Sequence, residues 1–390
     1  MPPQLRNLLI ERLRCPNPKY IENARMGRWN RGVAKEFRFF DKLRGGGLLI
    51  PRGYIRQLID LCRLHEVEFS IDDRRRSLPP VDFTFNATLR SFQRKAVDRM
   101  LLKEFGTLNS PTGSGKTIMA MYMIAKRRQP ALIVVHTKDL AHQWVERIGT
   151  FLNIPRDEVG FIGGGKRKIG SRITVALVQS LYRCADEVSL IIGHLVVDEC
   201  HRTPSRTFTE AVAEFDSRYM LGLSATPWRR DKLSRLIFWH LGDVHHEVDK
   251  GHLVKSGEVL TAEILFRKTE FKPYFDPVGE YSKMLSELTA NDDRNRLIAA
   301  DVSNEARESS GISLVLSDRK KHCESLHAIL KFKHGLSAEI LTGDLSIDQR
   351  QEILSRVNAG RVKVLIATGQ LIGEGFDCRE LATLFLATPV

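Results

Sequence analysis

Eight consecutive residues have the types and spacing needed to hold a chain of phosphates. Glycines at two of these positions let backbone N–H groups turn inward around an anion, and the N-terminus of a following helix adds its positive dipole end. The lysine can reach the β- and γ-phosphates, and the final threonine hydroxyl can ligate Mg²⁺. The first position is a serine where glycine or alanine is usual. The predicted nucleotide-binding residues are Ser110, Pro111, Thr112, Gly113, Ser114, Gly115, Lys116 and Thr117.

A second segment, Val196-Val-Asp-Glu-Cys-His201, indicates what the nucleotide is used for. Asp198 is predicted to hold Mg²⁺ together with Thr117. Glu199 is predicted to orient and deprotonate the attacking water, which would make the site a hydrolase. His201 is placed to relay the state of the nucleotide to Ser224, Ala225 and Thr226.

These residues need strands and helices that bring them to one edge of a sheet. Phe105–Leu108 predicts a short strand before the phosphate loop, and the apolar spacing from Ile118 to Ile124 predicts a helix after it. Further strands alternate with helical stretches, which is typical of doubly wound parallel sheets. The predicted strands cover residues 132–135, 173–176, 195–197 and 219–223, and a second series covers 312–316, 339–341, 362–366 and 383–386.

Composition excludes several classes of protein. The 390 residues are 42% hydrophobic and 27% charged, as in globular domains. No apolar run approaches a membrane span, and the N-terminus lacks a signal-peptide core. The six cysteines show no metal-ligand spacing and are expected to be reduced thiols in a cytoplasmic protein, nucleoid-associated if the source is prokaryotic or a phage.

The net charge of +13 is placed unevenly. Residues 1–80 contain 17 Lys and Arg against 9 Asp and Glu, a net of +8. A basic first domain predicts a polyanionic partner, with a merely solvated basic surface as the alternative. Trp29 and Phe37 lie among these cations. Core packing is expected for both, and stacking on unpaired bases is the alternative.

Six short motifs in order along the chain resemble those of superfamily 2 helicases and translocases over about residues 86–390. They are Leu89-Arg-Ser-Phe-Gln93, the phosphate loop, His136-Thr-Lys-Asp-Leu140, Asp198-Glu-Cys-His201, Ser224-Ala-Thr-Pro227 and Ala367-Thr…Gly373-Glu-Gly-Phe-Asp377. The segment Leu221–Asp231 resembles the branch that contains the xeroderma pigmentosum group B repair helicase, phage UvsW-type helicases and restriction-enzyme motor subunits. The long upstream signature of DEAD-box RNA helicases is absent, which favours DNA over RNA.

The resemblance implies roles for further residues. Gln93 would bind the adenine edge, with Arg90 and Phe92 packing on the base. Residues that would follow a nucleic-acid backbone are His136, Thr137, Lys138, Gln179, Ser180, Leu314–Ser317, Thr342, Gly343 and Thr368, with the basic segment 163–168 as a flexible contact loop or a solvated turn. Gly373, Glu374 and Asp377 would approach the nucleotide, and Arg229, Arg230 and Asp231 would assist coupling.

The predicted fold is α/β, with two RecA-like parallel-sheet lobes and a small basic N-terminal α+β domain. The expected domains are 1–85 for DNA binding, 86–245 for the first lobe, 246–310 for a linker with a strand at 262–266 and helix at 280–307, and 311–390 for the second lobe. Family members carry a further Gly-Arg-x-x-Arg element beyond the position of Val390. This chain is therefore expected to bind ATP but to hydrolyse it slowly.

The predicted activity is that of a DNA-dependent ATPase of the helicase or translocase type, using ATP and Mg²⁺. Its expected partners are duplex, forked or single-stranded DNA, with no membrane contact and a monomeric state favoured. Three alternatives stay open: a nucleotide-gated clamp without turnover, a restriction-system motor, and an RNA helicase.

Overall fold

The computed structural model describes residues 1–202, 206–226, 234–257, 262–369, 371–372, 378 and 380–389. The chain divides into two compact units, residues 1–261 and 262–390. This division falls inside the segment predicted as a linker. The domain boundaries drawn from the sequence otherwise stay predictions. Among the described residues, no helix is both long and apolar enough to cross a membrane.

The N-terminal region of the first unit is a small α+β arrangement. Its helices and strands are α1 (Pro3–Arg12), β1 (Arg14–Pro16), α2 (Pro18–Arg25), β2 (Glu36–Arg38), β3 (Asp41–Lys42), β4 (Leu48–Leu49) and α3 (Ile55–Leu64). Strands β1 and β2 pair antiparallel, as do β3 and β4. Pro at the first turn of α1 and of α2 suits a helix start, because those N–H groups have no partner within the helix.

The rest of the first unit is a sheet covered on both faces by helices. The strands are β5 (Phe105–Asn109), β6 (Ala131–Val135), β7 (Gly160–Gly163), β8 (Lys166–Lys168), β9 (Ile173–Leu177), β10 (His194–Val197), β11 (Tyr219–Ser224) and β12 (Val244–Glu247). The helices are α4 (Ser91–Leu101), α5 (Lys116–Arg127), α6 (Lys138–Leu152), α7 (Val178–Leu181), α8 (Ala185–Ser189), α9 (Arg206–Ala213), α10 (Ser234–Leu241) and α11 (Lys250–Lys255).

In the described residues of this unit the strand order is β12-β5-β11-β10-β6-β9-β7-β8. Every neighbouring pair is parallel except the β7–β8 hairpin. Strands β6, β9 and β10 are buried at every position, as expected for strands covered on both faces. Helices α4, α5 and α6 pack on one face, and α7 to α10 pack on the other.

The N-terminal region packs against α10 of the sheet domain. Its core includes Leu9, Tyr54 and Leu61, which lie in one apolar cluster with Leu236 and Trp239 of α10. The Tyr54 and Trp239 rings meet edge to face, with centroids 5.9 Å apart. The two parts of this unit therefore share a hydrophobic core.

Ion pairs fasten the connecting segment 74–76 to its surroundings. Arg76 forms a two-pronged contact with Asp216, with both N–O distances at 2.9 Å. Arg75 pairs with Asp73 at 2.6 Å and with Glu104 at 2.5 Å. The charges of Arg75 and Arg76 are therefore neutralised within the fold.

The second unit repeats the architecture with fewer strands. Its elements are α12 (Tyr281–Ala290), α13 (Asp292–Glu308), β13 (Ile312–Ser317), α14 (Lys320–His334), β14 (Glu339–Leu341), α15 (Ile347–Asn358), β15 (Val364–Thr368) and β16 (Leu381–Leu386). Among its described residues the strand order is β14-β15-β13-β16, all parallel. Apolar side chains of α13 and α14 pack on one face, and Val357 of α15 packs on the other.

The predicted α/β fold with two parallel-sheet lobes and an α+β N-terminal region is confirmed, including the eight strands predicted in the two series to within a few residues. The strand predicted at 262–266 is wrong, because these residues form no strand and Phe266 is 89% exposed. The basic segment 163–168 is the turn and second strand of the β7–β8 hairpin. Its two turn residues, Gly164 and Gly165, have φ of 58° and 81°, as a tight hairpin turn requires.

Gly53 provides a test of the packing between the N-terminal region and α10. A Cβ at Gly53 would lie 2.3 Å from the carbonyl oxygen of Phe238 and 2.7 Å from that of Trp239. Gly53→Ala is therefore expected to lower the free energy of unfolding by about 2 kcal/mol, as overpacking does. Denaturant unfolding would measure the change.

Gly47→Ala is the matched control, since its Cβ would find its nearest neighbour at 3.6 Å, an ordinary contact. Equal stability of the two variants would show that the packing at Gly53 does not hold the two parts together.

Candidate functional site

Five neighbouring parallel strands deliver the predicted site residues to one edge of the first sheet. Strands β5, β11, β10, β6 and β9 are adjacent in that order. Carboxyl ends of parallel strands share an edge, which is where ligands bind in open α/β sheets. The residues at or just after these ends are, in the same order, Ser110, Ser224, Asp198 with Glu199, His136, and Gln179. The predicted nucleotide residues therefore lie toward one end of this edge and the predicted nucleic-acid residues toward the other.

The phosphate loop has the backbone that its glycines predict. Gly113 and Gly115 have φ of 81° and 85°, in the left-handed region that glycine adopts without strain. A Cβ at Gly115 would also lie 2.5 Å from the amide nitrogen of Gln93. Helix α5 begins at Lys116, so its free N–H groups point toward the loop.

Ser110, the unusual first residue of the loop, is fully buried and braces the loop from within. Its hydroxyl shares a 2.5 Å hydrogen bond with the hydroxyl of Ser114, which donates to the carbonyl of Pro111 at 2.6 Å. Its backbone N–H donates to the carbonyl of Ser224 at 2.8 Å. At the position where glycine or alanine is usual, the Ser110 hydroxyl thus stabilises the turn through its hydrogen bond with Ser114.

A chain of polar contacts links the loop to the predicted catalytic and coupling residues. Lys116 Nζ lies 3.3 Å from Glu199 Oε1, and His201 Nδ1 lies 3.3 Å from the other Glu199 oxygen. His201 Nδ1 is also 3.0 Å from Ser224 Oγ, which accepts from the Thr226 N–H at 3.1 Å. The structure therefore brings Lys116, Glu199, His201, Ser224 and Thr226 together.

The two carboxyl groups of this site differ in their electrostatics. Burial and the neighbouring charge of Glu199 raise the pKa of Asp198. Burial also acts to raise the pKa of Glu199, but the His201 hydrogen bond and the Lys116 charge outweigh it and lower that pKa. Glu199 is thus held as a carboxylate, the form in which it can accept a proton.

Helix α6 contacts both predicted metal-ligating residues, and sequence reasoning missed this. The indole Nε1 of Trp144 donates to Asp198 Oδ2 at 2.8 Å, and Asp198 Oδ1 accepts from the Glu199 N–H at 2.8 Å. Arg147 Nη1 donates to the Thr117 hydroxyl at 3.0 Å. The spacing of three residues on one helix face was visible in the sequence, but a buried tryptophan there reads as ordinary core.

The oxygen donors of Thr117 and Asp198 suit Mg²⁺, a hard cation that is usually bound by few protein oxygens together with phosphates and water. Asp198 is 6% exposed, and its two oxygens are oriented by fixed donors. These residues therefore fit the predicted ion.

The predicted nucleic-acid residues of the first unit occupy varied settings. His136 Nε2 lies 3.3 Å from the backbone carbonyl of Glu199, so it contacts the predicted catalytic segment directly. The Thr137 hydroxyl caps α6 by accepting from the Leu140 N–H at 3.3 Å. Lys138 is exposed beside Gly164 in the hairpin turn, and Gln179 is exposed on α7. Ser180, also on α7, is half-buried.

The predicted adenine-binding residues lie at the start of α4. Gln93 is buried; its Oε1 accepts from the Arg90 N–H at 2.9 Å, and its Nε2 donates to the Ser114 carbonyl at 2.8 Å. Phe92 packs partly against the core, and the Arg90 side chain is exposed. The Gln93 amide therefore braces the phosphate loop, and its contact with adenine stays a prediction.

The remaining predicted residues fall into two groups. In the second unit, Thr342 is buried after β14, Gly343 is exposed, and Thr368 ends β15 beside Ser317 of β13. The others lie outside the described residues; they are Gly373, Glu374, Asp377, Arg229, Arg230 and Asp231. Their roles stay predictions.

Two family models match this chain. The model described as type III restriction enzyme, res subunit, matches residues 86–229, and the helicase conserved C-terminal domain matches residues 294–389. Together they span more than half of the chain, and each falls on one of the two parallel-sheet lobes.

Curated relatives carry helicase names. A putative ATP-dependent RNA helicase, L396, of Acanthamoeba polyphaga mimivirus is 28% identical over 80% of this chain and 60% of its own length. The DNA 3'-5' translocase XPB2 of Sulfurisphaera tokodaii is 29% identical over 82% of this chain and 78% of its own length. The chain thus spans less than two thirds of the first relative and more than two thirds of the second.

A solved structure supports the fold. The chain resembles S. cerevisiae Dbp5 bound to RNA and ADP BeF3 with a TM-score of 0.53 and 18% identity, covering 76% of this chain and 74% of that one. At this identity the likeness concerns the RecA-like fold alone. Together with the two family models and the relatives, the ordered motifs show that the chain belongs to the superfamily 2 helicases, in the branch of the xeroderma pigmentosum group B-like helicases and the restriction-enzyme motor subunits.

Proposed function

We propose that this chain is a nucleic-acid-dependent ATPase of the helicase or translocase type that acts on duplex or branched DNA, with ATP and Mg²⁺ as its cofactors. The observation that carries the proposal is the series of contacts from Lys116 through Glu199 and His201 to Ser224. A mere phosphate-binding loop would not need a carboxylate held between a lysine and a histidine.

The contact between Lys116 and Glu199 supports a change in the partners of the Glu199 carboxylate when ATP binds. In this structure Lys116 is paired with Glu199 at 3.3 Å. A γ-phosphate would draw Lys116 away, because phosphate oxygens carry more charge and accept more hydrogen bonds than one carboxylate. Glu199, still oriented by His201, would then be free to take a proton from water.

A bound Mg²⁺ would screen the phosphate charge and orient the phosphate oxygens. Thr117 and Asp198 would hold it. Trp144 would keep the Asp198 carboxylate in one orientation. Arg147 would give up its hydrogen bond to the Thr117 hydroxyl when that oxygen ligates the ion.

The backbone of Glu199 supports coupling to nucleic acid. His136, a predicted nucleic-acid contact, binds the Glu199 carbonyl at 3.3 Å. Movement of the His136 segment on a nucleic-acid strand would therefore move Glu199, the proposed general base. Helix α6, which starts immediately after Thr137 and carries Trp144 and Arg147, offers a second connection to the same site.

The names of the relatives do not decide between DNA and RNA. The archaeal relative is named as a DNA translocase and the mimiviral one as a putative RNA helicase. DNA is favoured because the DEAD-box signature is absent from the sequence, and RNA is kept as the alternative.

The first prediction separates nucleotide binding from chemistry. Lys116→Ala should weaken ATP binding, because it removes a cation from the phosphates. Glu199→Gln should keep binding and lower turnover by about 10²-fold or more, because it removes the base and spares the predicted ion ligands. Titration with a fluorescent ATP analogue and a phosphate-release assay would measure the two effects.

Equal loss of binding in both variants would contradict the assigned roles. A wild-type chain that binds ATP tightly and shows no turnover with any nucleic acid would favour the nucleotide-gated clamp.

The second prediction concerns Trp144. Trp144→Phe keeps an aromatic ring in the core and removes the N–H donor to Asp198. The Mg²⁺ concentration needed for half-maximal ATP binding should rise about tenfold, as for other groups that orient a metal ligand. Trp239→Phe is the control, since Trp239 is a buried tryptophan in the N-terminal core. An equal Mg²⁺ requirement in Trp144→Phe and wild type would show that Trp144 contributes only to core packing.

The third prediction concerns the polymer. ATP turnover should be stimulated more by duplex or forked DNA than by single- or double-stranded RNA of matched length at the same ionic strength. A comparison of initial rates over this panel tests it, and stronger stimulation by RNA would move the proposal to an RNA helicase.

A further inference from the structure

Trp29 is exposed on the N-terminal region, at 87% of its surface. The core packing expected for both aromatics holds for Phe37, which packs against the N-terminal cluster, and is wrong for Trp29. Ile21 and Met26 nearby in the chain are each 54% exposed. An indole left in water forgoes the gain from burial, so an almost fully exposed tryptophan in a basic segment is a candidate contact surface.

The loop that carries Trp29 is held in place by asparagine side chains. Asn30, the next residue, accepts from Asn23 Nδ2 at 3.0 Å and donates to the Tyr20 carbonyl at 3.1 Å. Further along, the Ala34 carbonyl accepts from Asn17 Nδ2 at 2.8 Å. The loop between α2 and β2 is thus joined at its middle to α2 and near its end to Asn17, the residue that caps α2. Trp29 therefore lies on a turn that these hydrogen bonds hold in place.

The sequence segment around Trp29 is predominantly basic. Residues 19–35 contain five cations and one acid, Glu22. The cations are all exposed; they are Lys19, Arg25, Arg28, Arg31 and Lys35. Within the described part of the chain none of the five forms a salt bridge. They differ in this from Arg75 and Arg76, whose charges are paired inside the fold.

We propose that this surface, named here the Trp29 surface and made of Trp29 with those five cations, binds single-stranded nucleic acid. An unpaired base stacks on the indole, and the cations contact the flanking phosphates. The charge of the surface complements a polyanion, and aromatic rings set in basic surfaces stack bases without regard to sequence. Bases inside a duplex already stack on one another, so an unpaired strand is the ligand that this ring can hold.

The proposal rests on the proposed function and deepens it by placing one strand of an opened substrate on the N-terminal region. The Trp29 surface lies outside the predicted nucleic-acid residues of the first lobe, which follow β6 and β9. Its role is therefore separable by mutation from the ATPase site.

The experiment compares wild type, Trp29→Ala and Trp29→Phe for binding to oligothymidylate and to a blunt DNA duplex of the same length. Trp29→Ala should weaken oligothymidylate binding about tenfold and leave duplex binding and the salt dependence unchanged, because stacking involves no counterion release. Trp29→Phe should recover part of the affinity. Phe332→Ala, which removes another aromatic ring at 81% exposure, is the matched control.

A charge variant tests the other half of the surface. Arg28→Gln with Arg31→Gln should flatten the log–log salt slope for oligothymidylate by about 0.7 for each phosphate that the variant no longer neutralises. Fluorescence gives a direct readout, because the chain has only four tryptophans. Oligothymidylate should quench the wild-type emission, and Trp29→Phe should abolish that quenching.

The outcomes separate this inference from the proposed function. Wild-type affinity in Trp29→Ala, an equal weakening for duplex, or an equal weakening in Phe332→Ala would overturn the stacking surface while the proposed function stands. A wild-type chain that binds neither oligothymidylate nor duplex would overturn the proposed function itself.

Discussion

The position of Glu199 is the constraint on which the rest of the site depends. Its φ of 45° lies in the left-handed region that costs a non-glycine residue about 1 kcal/mol or more. Such a conformation persists only when its surroundings fix it. Here Lys116 and His201 hold its two carboxylate oxygens, its N–H donates to Asp198, and its carbonyl meets His136. One residue thus joins the phosphate loop, the predicted ion ligand, the coupling segment and a predicted nucleic-acid contact.

This convergence follows from the strand order. The chain runs from β5 past two strand positions to β6 and continues outward to the β7–β8 hairpin at the sheet edge. It then returns through β9 and fills the gap with β10 and β11. The return places Asp198 and Glu199 between the phosphate loop and His136. A sheet in simple sequential order would put β6 beside β5 and leave no such middle position. The α5 and α6 helices cover the same face, so α6 can reach Thr117 and Asp198 while starting beside His136.

Sequence reasoning succeeded where local chemistry decides the structure. Phosphate-loop glycines need positive φ, and the strands buried on both faces are nearly continuous apolar runs, so both could be predicted. It failed where residues distant in the sequence determine the local structure. Strand β12 reads Val-His-His-Glu, and its pairing depends on β5. Strand β8 reads Lys-Arg-Lys and is specified by its turn and by β7. Residues 262–266 are apolar enough for a strand, but the structure gives them no pairing partner among the described residues. Arg147 gave no signal, because its partner lies 30 positions away.

The net charge of residues 1–80 is another property that the sequence alone does not resolve, because it does not show which cations are paired in the fold. The sequence assigns the excess of residues 1–80 to one basic domain. The fold pairs some of these cations with acids and leaves others exposed to solvent. Arg75 and Arg76 pair with Asp73, Glu104 and Asp216, and these pairs fix the segment that enters the sheet domain. The cations around Trp29 have no such partners in the described residues, so their mutual repulsion is relieved only by solvent or by an external anion. The Trp29 surface is therefore one part of the basic region that stays open to an external anion, whereas the charges of Arg75 and Arg76 contribute to the stability of the fold.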